Sequence, residues 1–242
     1  MRLRDSRVLI TGASSGIGAA TARAMAGAGA RLVLAGRDRR RLDAVAAETR
    51  GHPVTADLAT GAAELAAVAE PVDVLVGNAG VGWAGPLTRM PDEAIERLIA
   101  VNLTAHILLT RLLLPGMVAR GRGHIVFVAS IAGAVGVREE AVYSATKAGL
   151  IVFAEGLRHE LSEIGVSVVL PGVVDTPFFD RRGAPYARRR PEPIPAERVA
   201  RAIVSAVERD LAESYVPGWL RLPARLRGAA PEVFRILVRR LG

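Results

Sequence analysis

Val8-Leu9-Ile10-Thr11-Gly12-Ala13-Ser14-Ser15-Gly16-Ile17-Gly18 runs from a short aliphatic strand through a glycine-rich turn into the start of a helix. Glycines let backbone amides approach a ligand, and the N-terminus of the helix that follows carries partial positive charge, so this strand–turn–helix suits a pyrophosphate. The glycines stand at intervals of four and two, not in the G-x-G-x-x-G order, and a turn of this kind also occurs without a nucleotide. Its setting decides the fold. Further strand candidates fall at 31–35, 53–56, 72–76, 123–129 and 166–170, separated by helical stretches at 16–29, 39–50, 61–69, 92–120 and 141–164. The largely apolar runs at 72–76 and 124–128 suit strands covered on both faces. The alternation predicts an α/β fold: one Rossmann-type, doubly wound parallel sheet, with ligands gathered at the carboxyl ends of the strands.

The texture changes after Pro171. Residues 180–195 are dense in Arg and Pro and without period, so 176–195 reads as a long loop or lid over a substrate, and a helix is expected over 196–212. A short apolar stretch at Tyr215 and Val216 follows, and 218–242 reads as a C-terminal extension of the one domain spanning 1–242.

Composition narrows the chemistry. The 242 residues, 50% of them hydrophobic, can bury a sizeable core, and with no cysteine there are no disulfides, thiolate ligands or cysteine nucleophile. His52, His106, His124 and His159 show no metal-ligand spacing and read as structural or solvated. No secretory signal or uncharged spanning run is evident, so the expected location is cytoplasmic. A net charge of +8 raises nucleic acid or an anionic membrane as partners, but aromatics are only 4% and no stacking pattern accompanies the basic residues, so no nucleic acid is expected.

The chain has one lysine, Lys147, among its 32 Lys and Arg residues, and it stands four residues after Tyr143. On a helix that spacing puts both side chains on one face, where an ammonium favours the phenolate and tunes a proton donor. A Tyr and a Lys four apart are also an ordinary surface pair.

Taken with the glycine-rich turn, these residues make the chain resemble the short-chain dehydrogenase/reductase family from Arg7 to Phe179. Asp57-Leu58 follows the third strand, and Asp57 matches the acidic residue that family members place near adenine. Asn78-Ala79-Gly80 follows the fourth strand, Asn102 lies in a long helix, and Ser130 follows the fifth strand, thirteen residues before Tyr143. Pro171-Gly172-Val173-Val174-Asp175-Thr176 matches the segment that holds the nicotinamide, and Gly77 departs from the second asparagine that many members carry. The resemblance implies an oxidoreductase acting on a carbonyl or secondary alcohol. Tyr143 would exchange the proton and Ser130 hydrogen-bond the reacting oxygen. Lys147 would bind ribose and hold down the Tyr143 pKa, and Asn102 would anchor a water. It also implies a homodimer or homotetramer.

The cofactor expectation is NADP(H) rather than NAD(H). Where an acidic residue would bind the adenosine ribose, the chain has Gly36, followed by Arg37, and Ser14 can add a hydroxyl to a 2′-phosphate. Arg39, Arg40 and Arg41 read as solvated helix charge. Trp83, Leu87, Val135, Val137, Phe178, Phe179 and Tyr186 are expected to line an apolar substrate pocket, and Arg181, Arg182, Arg188, Arg189 and Arg190 read as solvated lid charge or an attractor for an anionic substrate. A 3-oxoacyl thioester is an alternative substrate, and a dinucleotide-binding protein without turnover is an alternative function. From Pro231 onward Val233, Phe234, Leu237, Val238 and Leu241 recur at helical spacing with Arg235, Arg239 and Arg240 between them. That face either packs over the site or a neighbouring subunit, or makes weak peripheral contact with an anionic membrane.

Overall fold

Seven strands align in parallel in the computed structural model, which describes residues 1–184 and 191–241. In chain order they are β1 (Arg7–Thr11), β2 (Arg31–Gly36), β3 (His52–Thr55), β4 (Val74–Gly77), β5 (Gly123–Val128), β6 (Ile164–Pro171) and, after the two-residue strands β7 (Val174–Asp175) and β8 (Ile194–Pro195), β9 (Glu213–Val216). The spatial order is β3-β2-β1-β4-β5-β6-β9. The chain winds outward from β1 to β3, then crosses back to lay β4 on the other side of β1, which opens a crevice at the carboxyl ends of these strands.

The helices are α1 (Gly16–Gly27), α2 (Arg39–Thr49), α3 (Ala62–Ala69), α4 (Asp92–Ile99), α5 (Ala105–Ala119), α6 (Ile131–Val135), α7 (Ala141–Glu160), α8 (Phe178–Arg181), α9 (Ala196–Arg209), α10 (Arg221–Ala229) and α11 (Pro231–Leu241), of which α1, α2 and α9 cover one face of the sheet and α3, α5 and α7 the other. Strand alternation sorts the core. Val8 and Ile10 of β1 pack with Met25, Leu42, Val199 and Ile203 from α1, α2 and α9, whereas Leu9 between them packs with Leu65, Leu109, Leu113 and Leu150 from α3, α5 and α7. Each such side chain taken from water stabilises the fold by roughly 1.5–3 kcal/mol.

Several boundaries differ from the sequence expectation, each for a physical reason. The helix expected over 92–120 is interrupted at Ala100–Thr104 by a wide turn in which the Ala105 N–H reaches back to the Ala100 carbonyl. This 92–119 segment is apolar enough by length and composition to cross a membrane, yet Leu109, Leu113 and Met117 are buried against the sheet. α7 stops at Glu160 because Leu161 turns extended and Ile164 already pairs with Gly123. Asp210 adopts a left-handed conformation and ends α9, which frees Tyr215 and Val216 to join the seventh strand. The expected loop over 180–195 begins inside α8, and β8 pairs with β7, so its far end is tied back to the segment after β6.

Candidate active site

The glycine-rich turn is shaped by contacts that leave no room for side chains. Gly12 and Gly16 hold positive φ angles of 68° and 54°, and a Cβ on Gly18 would lie 2.2 Å from the Gly12 carbonyl oxygen. Ser15 caps α1 in an extended conformation, and the first turn of α1 carries no acidic residue. The first-turn amides of a helix lack partners within the helix. A turn without Cβ atoms ahead of such amides fits the diphosphate of a dinucleotide.

Thr11, at the end of β1, organises this turn. Its hydroxyl donates to the Val76 carbonyl at 3.2 Å and accepts the N–H groups of Asn78 and Ala79 at 3.0 Å each. Asn78 returns its amide to the Thr11 carbonyl at 2.8 Å, so Asn78 braces the turn from β4. Gly77 sits against Phe127 and His106, with 2.8 Å between its missing Cβ position and the Phe127 ring, which leaves no space for an asparagine. His106 is neutral, with its pKa pushed to about 4 by burial and by the nearby Lys147 charge.

The other matched residues lie at the same end of the sheet. Gly36 closes β2 with its missing Cβ position 3.3 Å from the Ser14 side chain, a tight contact, and the adjoining Arg37 is exposed. Burial alone would raise the Asp57 carboxyl, but the Ala59 N–H, an ion pair with Arg97 at 2.9 Å and the charge of Arg37 outweigh it and hold the group below its ordinary value. Leu58 is buried beside it. Ala79 and Gly80 leave β4, and the open side of Gly80 faces Asn102 Oδ1 and Lys147 Nζ, 3.4 and 3.5 Å from where a Cβ would stand. Thr176 abuts Gly16, which brings the Pro171–Gly172 strand end, Val174 and the glycine-rich turn to one crevice.

Ser130 caps α6 by accepting the Ala132 N–H at 3.1 Å, and it is hydrogen-bonded to the Tyr143 phenol. Lys147 is 3% exposed, one turn along α7, with Nζ 5.8 Å from the Tyr143 ring centre and donating to the Val128 carbonyl at 2.9 Å. Asn102, in the wide turn, is fully buried. Its amide closes on the Val81 backbone at 2.8 and 2.9 Å and on Thr146 Oγ1 at 3.2 Å, so here it fixes the loop after Gly80. One expectation is corrected: the Tyr143 phenol is raised, not lowered. Burial dominates, the Ser130 hydrogen bond opposes it, Glu140 adds to it and Arg182 opposes it. Lys147 itself is lowered by burial to about 8.

The loop around 176–184 closes over Tyr143. Phe178 packs 5.5 Å from the Tyr143 ring, and Arg182, instead of being solvated, forms a largely buried ion pair with Glu140 and lies 4.7 Å over Phe179. Sequence spacing gave no sign of this pair or of Thr11, because their partners are remote in the chain. A cavity of about 100 Å³ is bounded by Trp83, Leu87, Met90, Val142 and Tyr143. Val137 packs in the same apolar cluster. Val135 instead lines a separate groove under α10 and α11, and Tyr186 and Arg188–Arg190 lie outside the described residues.

A family model described as short chain dehydrogenase matches residues 6–186, three quarters of the chain, so the chain belongs to the short-chain dehydrogenase/reductase family, nicotinamide-dinucleotide-dependent oxidoreductases acting on CH–OH groups. An uncharacterized oxidoreductase of Staphylococcus haemolyticus is 36% identical over 210 residues, 82% of this chain and 89% of that one. A ketoacyl reductase of Nostoc is 37% identical over 231 residues, 88% and 79% of the two chains. Dehydrogenase/reductase SDR family member 7B of mouse is 36% identical over 72% of this chain, but the match spans only 59% of that protein. Among solved structures, a short-chain dehydrogenase from Sphingobium yanoikuyae in complex with NADPH superposes with a TM-score of 0.83 at 33% identity, covering 93% of this chain and 94% of that one. A short chain dehydrogenase/reductase from Burkholderia phymatum in complex with NAD reaches 0.87 at 26% identity, covering 96% of both.

Proposed function

We propose that the chain is an NADP(H)-dependent oxidoreductase that interconverts a hydrophobic carbonyl compound and its secondary alcohol, with Tyr143 carrying the proton. The observation that carries this reading is the buried Ser130–Tyr143 hydrogen bond set beside a mainly apolar cavity, which Glu139 and Glu140 also line. The bound dinucleotide would supply or accept the hydride. The raised phenol keeps its proton at neutral pH, the form needed to protonate a carbonyl oxygen. Ser130 donates to the same oxygen as charge develops, and Lys147 holds the ribose with hydrogens beyond the one given to Val128. The residues bound to the dinucleotide are the 12–18 turn, Arg37, Asp57-Leu58, Asn78–Gly80 and the 171–176 segment. Residues 176–195 act as the substrate lid of a single domain, and 218–242 extend it.

The ketoacyl reductase relative favours one second reading, reduction of a 3-oxoacyl thioester. A homodimer or homotetramer is supported by Leu108, Leu112 and Val152, exposed on α5 and α7. The assay that tests the function follows NADPH and NADH absorbance over a panel of apolar ketones, secondary alcohols and 3-oxoacyl thioesters. Failure of all three classes with both cofactors would contradict it. In the same assay Arg37→Ala is expected to weaken NADPH binding by about 1.5–3 kcal/mol, the scale of a charged hydrogen bond, and to leave NADH nearly unchanged. Equal losses would remove Arg37 as the selector.

A further inference from the structure

The C-terminal hairpin of α10 and α11 concentrates charge. Residues 218–242 hold six arginines, Arg221, Arg225, Arg227, Arg235, Arg239 and Arg240, against the single acid Glu232. Alongside that charge the hairpin and the turn before it expose large apolar side chains: Trp219, Leu222, Val233, Ile236 and Leu237 are 52%, 68%, 50%, 53% and 41% exposed. Val233, Ile236 and Leu237 stand at helical spacing on one side of α11, while Phe234 is half-buried and turns toward the groove beneath, with Ala134 and Val135. The helix therefore separates the face that rests on the protein from the apolar one that water meets.

We propose that this hairpin is a docking surface for a membrane bearing anionic phospholipid, with Val233, Ile236 and Leu237 entering the headgroup layer and the arginines meeting lipid phosphates. An amphipathic helix with a cationic polar face binds an interface by these two contributions together. Charge decides against a second copy as the occupant. A two-fold pairing sets the same patch against itself and would bring exposed arginines such as Arg225 and Arg235 toward their own copies, whereas the exposed aliphatic residues of α5 and α7 form a face better suited to self-association. A lipid surface supplies the opposite sign and the apolar depth at once.

Vesicle co-sedimentation of the full chain tests this, comparing phosphatidylcholine alone with phosphatidylcholine containing phosphatidylglycerol. Binding is expected only to the anionic vesicles and is expected to fade as salt is raised. Ile236→Glu with Leu237→Glu, and separately Arg225→Glu with Arg235→Glu, should each weaken it by about tenfold or more. All four positions are exposed, so the thermal midpoint should hold and a failure to fold does not enter. Equal binding to neutral vesicles, no binding at low salt, or indifference to both variants would overturn the proposal. So would a drop in oligomeric state in the Ile236→Glu/Leu237→Glu chain, which assigns the face to a second copy, or tighter binding to duplex DNA than to anionic vesicles at the same salt.

Discussion

Tyr143→Phe is expected to lower turnover by about 10²–10⁴-fold, the range for losing a positioned proton donor, while dinucleotide affinity changes little. The ring stays in the apolar cluster with Met90, Leu98 and Phe178, so packing over the site is preserved, and Ser130 still accepts the Ala132 N–H. Only the phenolic hydrogen bond and its proton are lost. Single-turnover measurements with either cofactor separate the two quantities, and a variant that keeps most of its activity would sink the assignment of the proton to Tyr143.

The second large effect is expected from one methyl group. Gly18→Ala places a Cβ 2.2 Å from the Gly12 carbonyl oxygen and 2.6 Å from Asn78 Nδ2, two groups whose positions define the turn. Alanine gains about 1 kcal/mol over glycine in a helix, but a Cβ this close to rigid backbone puts the overpacking cost at the upper end of its usual range, about 3 kcal/mol, so sterics win by up to about 2 kcal/mol. For a chain of this size that lowers the thermal midpoint by about 4–8 °C. Dinucleotide affinity should fall with it, since the Gly12 carbonyl and the Asn78 amide must both move. Gly27→Ala at the end of the same helix meets no atom of the described residues within 4 Å and should be neutral or slightly stabilising. Matching behaviour of the two variants would count against the tight turn.

What the sequence disclosed was local. The strand–turn–helix at 8–18, six strands of the sheet and the Tyr143–Lys147 spacing each follow from period and turn chemistry within a short window, and the ordered motifs carried the family. What stayed hidden depends on pairing between distant segments. β9 exists because Glu213–Val216 finds β6, a ladder that no property of those four residues announces. The wide turn at Ala100–Thr104 has no compositional mark either, although it is what turns Asn102 toward Val81 and Thr146. The direction of the Tyr143 shift was also illegible, since it comes from burial of the ring, against which Phe178 packs, and that burial outweighs the Ser130 hydrogen bond.

The lone lysine has a use outside chemistry at the site. A lysine-specific endoprotease has one cleavage point in the whole chain, after Lys147, and that bond lies within α7, with the side chain 3% exposed. The cut requires α7 to come away from β5 and β6, so it reports opening of the central sheet and not fraying of the termini. Two fragments, 1–147 and 148–242, should appear at a rate that follows the population of the opened chain when reclosing is fast. A saturating dinucleotide that binds only the folded form should slow their appearance by the factor 1 + [L]/Kd, which turns one residue into a gel-based gauge of cofactor affinity with no need of a known substrate.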